Sequence, residues 1–131
     1  LVHFGNPNAT WWSSAAIALE AGILLGMLYA WTRSLYFVMG LHAAWNFTQG
    51  GVLGIAVSGF ELPSLFQAKT QGPEWLSGGE FGAEASLLTV LLCLALSIFA
   101  TRRALAAGRL RKPYWSRVTP IPTDLPAHTV S

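Results

Sequence analysis

Three long apolar segments constrain the fold of this chain more than any other feature of its sequence. They cover about residues 12–31, 35–57 and 85–103, and a helix of roughly 20 mostly apolar residues is enough to cross a bilayer. Of the 131 residues, 53% are hydrophobic and 11% are charged, whereas a soluble domain carries about 25% charged residues. The sequence therefore predicts an all-α fold, a polytopic transmembrane helical bundle with three complete spanning helices.

The connections between these segments predict how the chain crosses the membrane. Only Thr32, Arg33 and Ser34 separate the first two segments, which predicts a tight antiparallel hairpin. Residues 58–84 are rich in glycine and acidic side chains and predict an outside loop. Residues 104–131 predict a basic, then proline-containing tail, and basic residues beside a span mark the cytoplasmic side. We expect membrane lipids as partners and, from the net charge of only +2, no nucleic acid.

Polar side chains interrupt the second apolar segment. His42, Asn46 and Gln49 are spaced i, i+4 and i+7, which places all three on one face of a helix. Polar groups inside a membrane are costly to leave unsatisfied, so this face should point into the bundle or a wet cavity. Two interpretations stay open from the spacing alone: a functional site, or interhelical hydrogen bonds that hold the bundle together.

Two further polar residues accompany this face. His3 stands at what we predict to be the end of an earlier helix, before the turn-forming residues 5–8. Imidazole suits both proton transfer and metal binding. Glu20 falls in the middle of the first segment, where it is expected to be protonated or to face a cavity. A packing role is the simpler interpretation of Glu20, with a catalytic role as the alternative.

The pattern resembles the CPBP family of intramembrane proteases, which includes the type II CAAX prenyl endopeptidases and the bacterial Abi or bacteriocin-immunity proteins. The family has a Glu-Glu-x-x-x-Arg motif, then Phe-x-x-x-His, then His-x-x-x-Asn. His42-Ala43-Ala44-Trp45-Asn46 matches the last motif, and His3 matches the histidine of the middle one. The sequence does not contain the Glu-Glu-x-x-x-Arg motif. We therefore expect residues 1–103 to be the C-terminal part of the family's domain, inactive by themselves.

The resemblance implies an activity and a set of site residues. The activity is hydrolysis of a peptide bond near the membrane, with a peptide or prenylated protein as substrate. The implied catalytic residues are His3, His42 and Asn46, of which His42 and Asn46 hold the developing oxyanion. The resemblance also admits a zinc ion bound by His3 and His42 with a carboxylate. The implied location is an integral protein of a bacterial cell membrane with a cytoplasmic C-terminus.

Two other functions compete with the protease. One is a non-enzymatic membrane protein, an immunity or partner-binding protein that keeps the fold. The other is a small transporter subunit in which His42, Asn46 and Glu20 line a proton path. Glu20→Gln distinguishes the transporter from the protease, because it should abolish transport but have only a mild effect on a protease.

Overall fold

The computed structural model describes residues 2–110, so Leu1 and most of the predicted tail, residues 111–131, lie outside the described residues. Three long helices dominate the fold: α1 (Trp11–Thr32), α2 (residues 35–52) and α3 (Leu87–Ala106). A 3₁₀ turn, Val2–Gly5, precedes α1, and three short helical turns, Glu74–Ser77, Gly79–Phe81 and Ala83–Ala85, precede α3. Apart from one isolated bridge between Val57 and Phe60, residues 2–110 contain no β structure. The described part of the chain is therefore mostly helical, as the sequence predicts.

Local capping interactions set where the long helices begin. Thr10 caps α1 in a reciprocal pair of hydrogen bonds. Its hydroxyl accepts from the Ser13 backbone N–H, and the Ser13 hydroxyl accepts from the Thr10 backbone N–H. Ser34 and Ser86 cap α2 and α3 in the same way, each accepting from the backbone three residues later. Arg33 adopts a left-handed conformation with φ of 58° and turns the chain between α1 and α2. The left-handed Arg33 and the Ser34 cap together produce the tight hairpin at Thr32-Arg33-Ser34.

The core lies where α3 packs beside α1. Leu24 and Leu28 of α1 pack with Cys93 and Ala100 of α3, and Val38 of α2 joins this cluster near the hairpin turn. Val38 is the one buried residue of Leu35–Asn46. The helix α2 therefore packs against the other long helices near its start, is covered by the loop at Gln49 and Gly50 near its end, and leaves much of its remaining surface uncovered. This arrangement leaves space for a cavity bounded by all three long helices.

The second long helix is shorter than the sequence predicts. It ends at Val52, whereas the apolar pattern predicts a span over 35–57. Gly54 has φ of 70°, and an added Cβ there would collide with the Phe66 carbonyl oxygen. The chain then doubles back, and Leu65 donates from its backbone to the Gly51 carbonyl at the end of α2. This close return of the outside loop ends the helix five residues early.

The helices carry apolar surface that suits a membrane. Both α1 and α3 are long and apolar enough to cross one, yet only 33% and 28% of the residues in their most apolar stretches are buried. A core helix of a soluble protein with this hydropathy would be mostly buried. The span predicted over 35–57 is not shown, because among residues 2–110 only α1 and α3 meet these criteria. The described residues thus give two candidate spans instead of three.

Basic side chains gather where α1 and α3 end. The Arg109 guanidinium donates to the Trp31 carbonyl, and the Arg103 guanidinium lies 5.5 Å from the centre of the Trp31 ring. Arg33 lies over the Tyr29 ring at the same distance. The arginines of the hairpin turn and of the α3 end are thus at one end of the bundle.

Candidate functional site

A cavity of about 120 Å³ brings together residues that are far apart in the sequence. His42 and Asn46 reach it from α2, His3 reaches it from the 3₁₀ turn, and Glu20 reaches it from α1. The structure thus places all three residues implied by the family resemblance around one space. The remaining wall is mostly apolar and includes Ile17, Ala21, Leu24, Leu25, Leu41, Trp45, Cys93 and Leu96, with Ser58 and Glu84 from the outside loop.

His42 and Asn46 lie one turn apart on α2, as their spacing predicts. Neither side chain hydrogen-bonds to another group among the described residues. The Asn46 Oδ1 atom is buried and has no partner there, whereas His42 is exposed. A buried acceptor without a partner is uncommon in proteins and indicates a missing donor. Water, or an N–H or O–H group of a ligand, would satisfy it.

Gln49, the third polar residue predicted on this face, has a structural role. Its Oε1 accepts from Trp45 Nε1 at 2.9 Å, and its Nε2 donates to the Ala56 carbonyl at 2.6 Å. It is only 6% exposed. It does not line the cavity with His42 and Asn46. A π-helical turn begins at Phe47, between Asn46 and Gln49, and its wider turn differs from the α-helical spacing that predicts a shared face.

Glu20 lies in a second π-helical stretch, Ala18–Leu24. Its side chain is 91% buried, since its exposed fraction is 9%. Its Oε1 has no hydrogen-bond partner among the residues described. Single π-helical turns often occur at functional positions of helices. Glu20 therefore adds a second unpartnered acceptor to the cavity that holds the Asn46 side chain.

His3 is held by Asn6 from the following turn. The Asn6 Nδ2 lies 3.2 Å from His3 Nδ1 and donates to the Ser58 carbonyl at 2.9 Å. This contact ties the 3₁₀ turn to the end of the α2 region, 52 residues away. The imidazole therefore has a fixed partner on one ring nitrogen.

Glu84 holds Ser58 in turn. Its Oε2 accepts from the Ser58 backbone N–H at 2.7 Å and from the Ser58 hydroxyl at 2.8 Å. Glu84 is 7% exposed and lines the cavity, although it comes from the outside loop. The carboxyl group of Glu84 is thus occupied by structural hydrogen bonds, in contrast to that of Glu20.

Sequence reasoning missed three of these residues: Asn6, Ser58 and Glu84. Asn6 belongs to a turn-forming stretch, and Glu84 is one of several acidic residues in the loop. Neither feature indicates proximity to His3. The one available hint was Ser58-Gly59, a turn dipeptide after an apolar segment. These contacts depend on the way the loop folds back, which local patterns do not encode.

The zinc ion that the resemblance admits requires a carboxylate besides His3 and His42, and it stays a prediction. Within residues 2–110, no three histidine, cysteine, aspartate or glutamate side chains are close enough to hold a metal ion. A metal-bound histidine usually donates its other ring N–H to an acceptor. His3 Nδ1 instead faces an amide N–H donor.

The comparison with protein families agrees with the pattern of motifs. Residues 1–48 match the family described as type II CAAX prenyl endopeptidase Rce1-like. This match confirms the predicted resemblance, and it contains His3, Glu20, His42 and Asn46. No curated protein and no solved structure shows a significant match to the chain. Together with the apolar helices α1 and α3, the family match supports an integral membrane protein.

Proposed function

We propose that the protein containing this chain is an intramembrane endopeptidase that hydrolyses a peptide bond near the membrane surface. One observation carries the proposal: His3, His42 and Asn46 come from separate parts of the sequence and line one cavity. The family match over residues 1–48 supports a protease of the CAAX-processing type. A prenylated protein or peptide suits the largely apolar wall of the cavity.

Water is the first requirement of such a reaction. The cavity volume of about 120 Å³ exceeds what a single water molecule needs. The unpartnered Glu20 Oε1 and Asn46 Oδ1 are two acceptors for water inside an otherwise apolar wall. Two to four polar partners are the usual requirement for a buried water. We infer that this space holds water supplied to the reaction.

The remaining side chains suit the chemistry of hydrolysis. Water attacks the peptide carbonyl carbon, and the carbonyl oxygen becomes an oxyanion. The Asn46 amide and the His42 ring would donate to this oxyanion, and preorganised donors of this kind are typically worth about 10²–10³ in rate. The C–N bond then breaks as the nitrogen receives the proton that the attacking water has lost. The resemblance assigns the base that removes the water proton to the Glu-Glu-x-x-x-Arg motif.

Alanine variants at the two α2 positions test this proposal. The full-length protein would be assayed in membranes on a fluorogenic prenylated peptide. His42→Ala and Asn46→Ala should each lower the cleavage rate about 100-fold or more. Thr48→Ala is the matched control, because Thr48 lies on the same helix but does not line the cavity. Equal cleavage by all four proteins would contradict the assignment.

A non-enzymatic immunity or partner-binding protein is the second candidate function. Its supporting observation is the large uncovered surface of α2, on which a partner protein could dock. It predicts no cleavage by any variant, with protection or partner binding unchanged in His42→Ala. The proton-path alternative rests on the buried Glu20 and predicts that Glu20→Gln abolishes transport.

The orientation in the membrane is part of the proposal. The arginines of the hairpin turn and of the α3 end lie at one end of the bundle. By the positive-inside rule this end is cytoplasmic, with the C-terminus on the same side. The cavity residues His3, Ser58 and Glu84 would then lie toward the outer face of a cell membrane, for which we propose a bacterial one. A cysteine introduced at exposed Gln71, labelled by an impermeant reagent in intact cells, tests this.

A further inference from the structure

We propose that Asn6 is a positioning residue that holds His3 in the tautomer with its proton on Nε2, and that Ser58 and Glu84 hold Asn6 in place. The consequence for catalysis rests on the proposed function. The tautomer assignment is independent of the proposed function, because it follows from hydrogen-bond geometry.

The orientation of the Asn6 amide is fixed by its other partner. The Ser58 carbonyl oxygen can only accept, so the Asn6 atom 2.9 Å from it must be the amide nitrogen. The same nitrogen lies 3.2 Å from His3 Nδ1 and has a second N–H to donate. His3 Nδ1 must therefore present its lone pair. In the neutral ring the proton is then on Nε2.

The position of Ser58 is itself strongly constrained. Ser58 has φ of 50°, a left-handed conformation that is unfavourable for a residue with a Cβ. Two hydrogen bonds to one Glu84 oxygen, at 2.7 and 2.8 Å, hold it there. The next residue, Gly59, donates from its backbone to the Phe81 carbonyl at 2.8 Å. An added Cβ on Gly59 would collide with the carbonyl oxygen of Pro7, the residue after Asn6.

These contacts form one chain of positioning interactions. It runs from Glu84 through Ser58 and Asn6 to the ring of His3, and both ends line the cavity. A neutral histidine with its proton on Nε2 donates a hydrogen bond from that atom to a ligand. The structure assigns His3 the role of donating to a negatively charged oxygen in the cavity. A change of tautomer would remove that donor without removing the side chain.

Nitrogen-15 NMR of histidine-labelled full-length protein in detergent tests the tautomer directly. Spectra would be recorded near pH 8.5, about two units above the ordinary histidine pKa of ~6.5. The His3 signals are identified by their loss in His3→Gln. We expect a protonated Nε2 and an unprotonated Nδ1. A protonated Nδ1 in the unmodified protein would overturn the proposal.

Three variants make the test specific. Asn6→Asp replaces the donor by an acceptor and should move the proton to Nδ1, whereas Asn6→Ala should give a mixture of tautomers. Asn8→Asp is the matched control, because Asn8 lies in the same turn, whereas the side chain that contacts His3 and Ser58 is that of Asn6. It should leave the spectrum unchanged. An unchanged His3 spectrum in both Asn6 variants, with helicity preserved, would also overturn the proposal.

Kinetics distinguish the tautomer from the proposed function. Asn6→Asp should lower kcat for peptide cleavage by about 100-fold, the lower end expected for misplacing a proton-transfer or donor group, with little change in KM. A changed tautomer with unchanged kcat in an active protease would refute the catalytic role of His3 as a donor. A changed tautomer in a protein that cleaves no peptide would refute the proposed function and leave the tautomer assignment standing.

Discussion

Replacing Glu84 should destabilise the protein by an amount that can be worked from two hydrogen bonds. The Glu84 carboxyl is 7% exposed and accepts from the Ser58 N–H and hydroxyl at 2.7 and 2.8 Å. Glu84→Leu leaves both donors without their partner, and each such donor costs about 1–3 kcal/mol when buried. Ser58 is only partly buried, so water recovers some of this cost. We expect a loss of about 2–4 kcal/mol in the free energy of unfolding.

Glu84→Gln provides a chemical comparison at the same position. Its side-chain oxygen can replace the carboxyl oxygen that accepts both hydrogen bonds. The loss should therefore be smaller, about 1 kcal/mol, since neutral hydrogen bonds are weaker than those to a charged group. Glu80→Leu is the matched control, because Glu80 lies in the same loop and is exposed. It should change the stability by less than about 0.5 kcal/mol.

The assay is unfolding of the detergent-solubilised protein, followed by circular dichroism. A double-mutant cycle with Ser58→Ala isolates the hydroxyl, because that variant removes one of the two donors. In the Ser58→Ala background, Glu84→Leu should lower the free energy of unfolding by about 1–2 kcal/mol less than it does in the protein that keeps Ser58. The reasoning fails if Glu84→Leu is as stable as the unmodified protein, or if the cost is the same with and without the hydroxyl.

Three more variants test other parts of the account. Glu20→Gln keeps an acceptor in the cavity, so its cleavage rate should stay within about threefold of the unmodified protein, whereas Glu20→Leu should lower the rate at least about tenfold. Equal rates in the two variants would contradict a water-binding role for Glu20. Gln49→Met leaves the Trp45 indole N–H and the Ala56 carbonyl unpaired, so it should lower the free energy of unfolding in detergent by about 2–4 kcal/mol. Unchanged stability would refute the structural role of Gln49. Gly59→Ala should cost at least about 2 kcal/mol in the same assay, because its φ of 86° and the nearby Pro7 carbonyl exclude a Cβ, and unchanged stability would show that the turn relaxes.

The part of the site that depends on local helix geometry could be predicted from the sequence. His42 and Asn46 are one helical turn apart, and that spacing alone places them on one face. Gln49 lies two turns along, beyond the start of the π-helical turn Phe47–Val52, and it is buried against Trp45 and Ala56 instead of lining the cavity. Helical periodicity therefore predicted the site only as far as the helix stayed regular.

The position of His3 beside these residues came from family resemblance, since no local pattern brings a terminal turn to α2. Glu20 was recognised as unusual, but its simpler interpretation was packing. The structure places it at the cavity with an unpartnered oxygen. The early end of α2 was missed because residues 55–57 continue the apolar pattern, while the close return of the loop at Gly54 ends the helix.

The measurement that tests the central claim most directly is cleavage of a prenylated peptide in water labelled with oxygen-18. The full-length protein, in its own membrane, would be incubated with the peptide and the products weighed by mass spectrometry. Hydrolysis predicts one heavy oxygen in the new C-terminal carboxylate, and a loss of this product in His42→Ala and Asn46→Ala but not in Thr48→Ala. A labelled product that forms equally in the His42 and Asn46 variants, or no cleaved product at all from an intact and folded protein, would contradict the assignment of this cavity as a protease site.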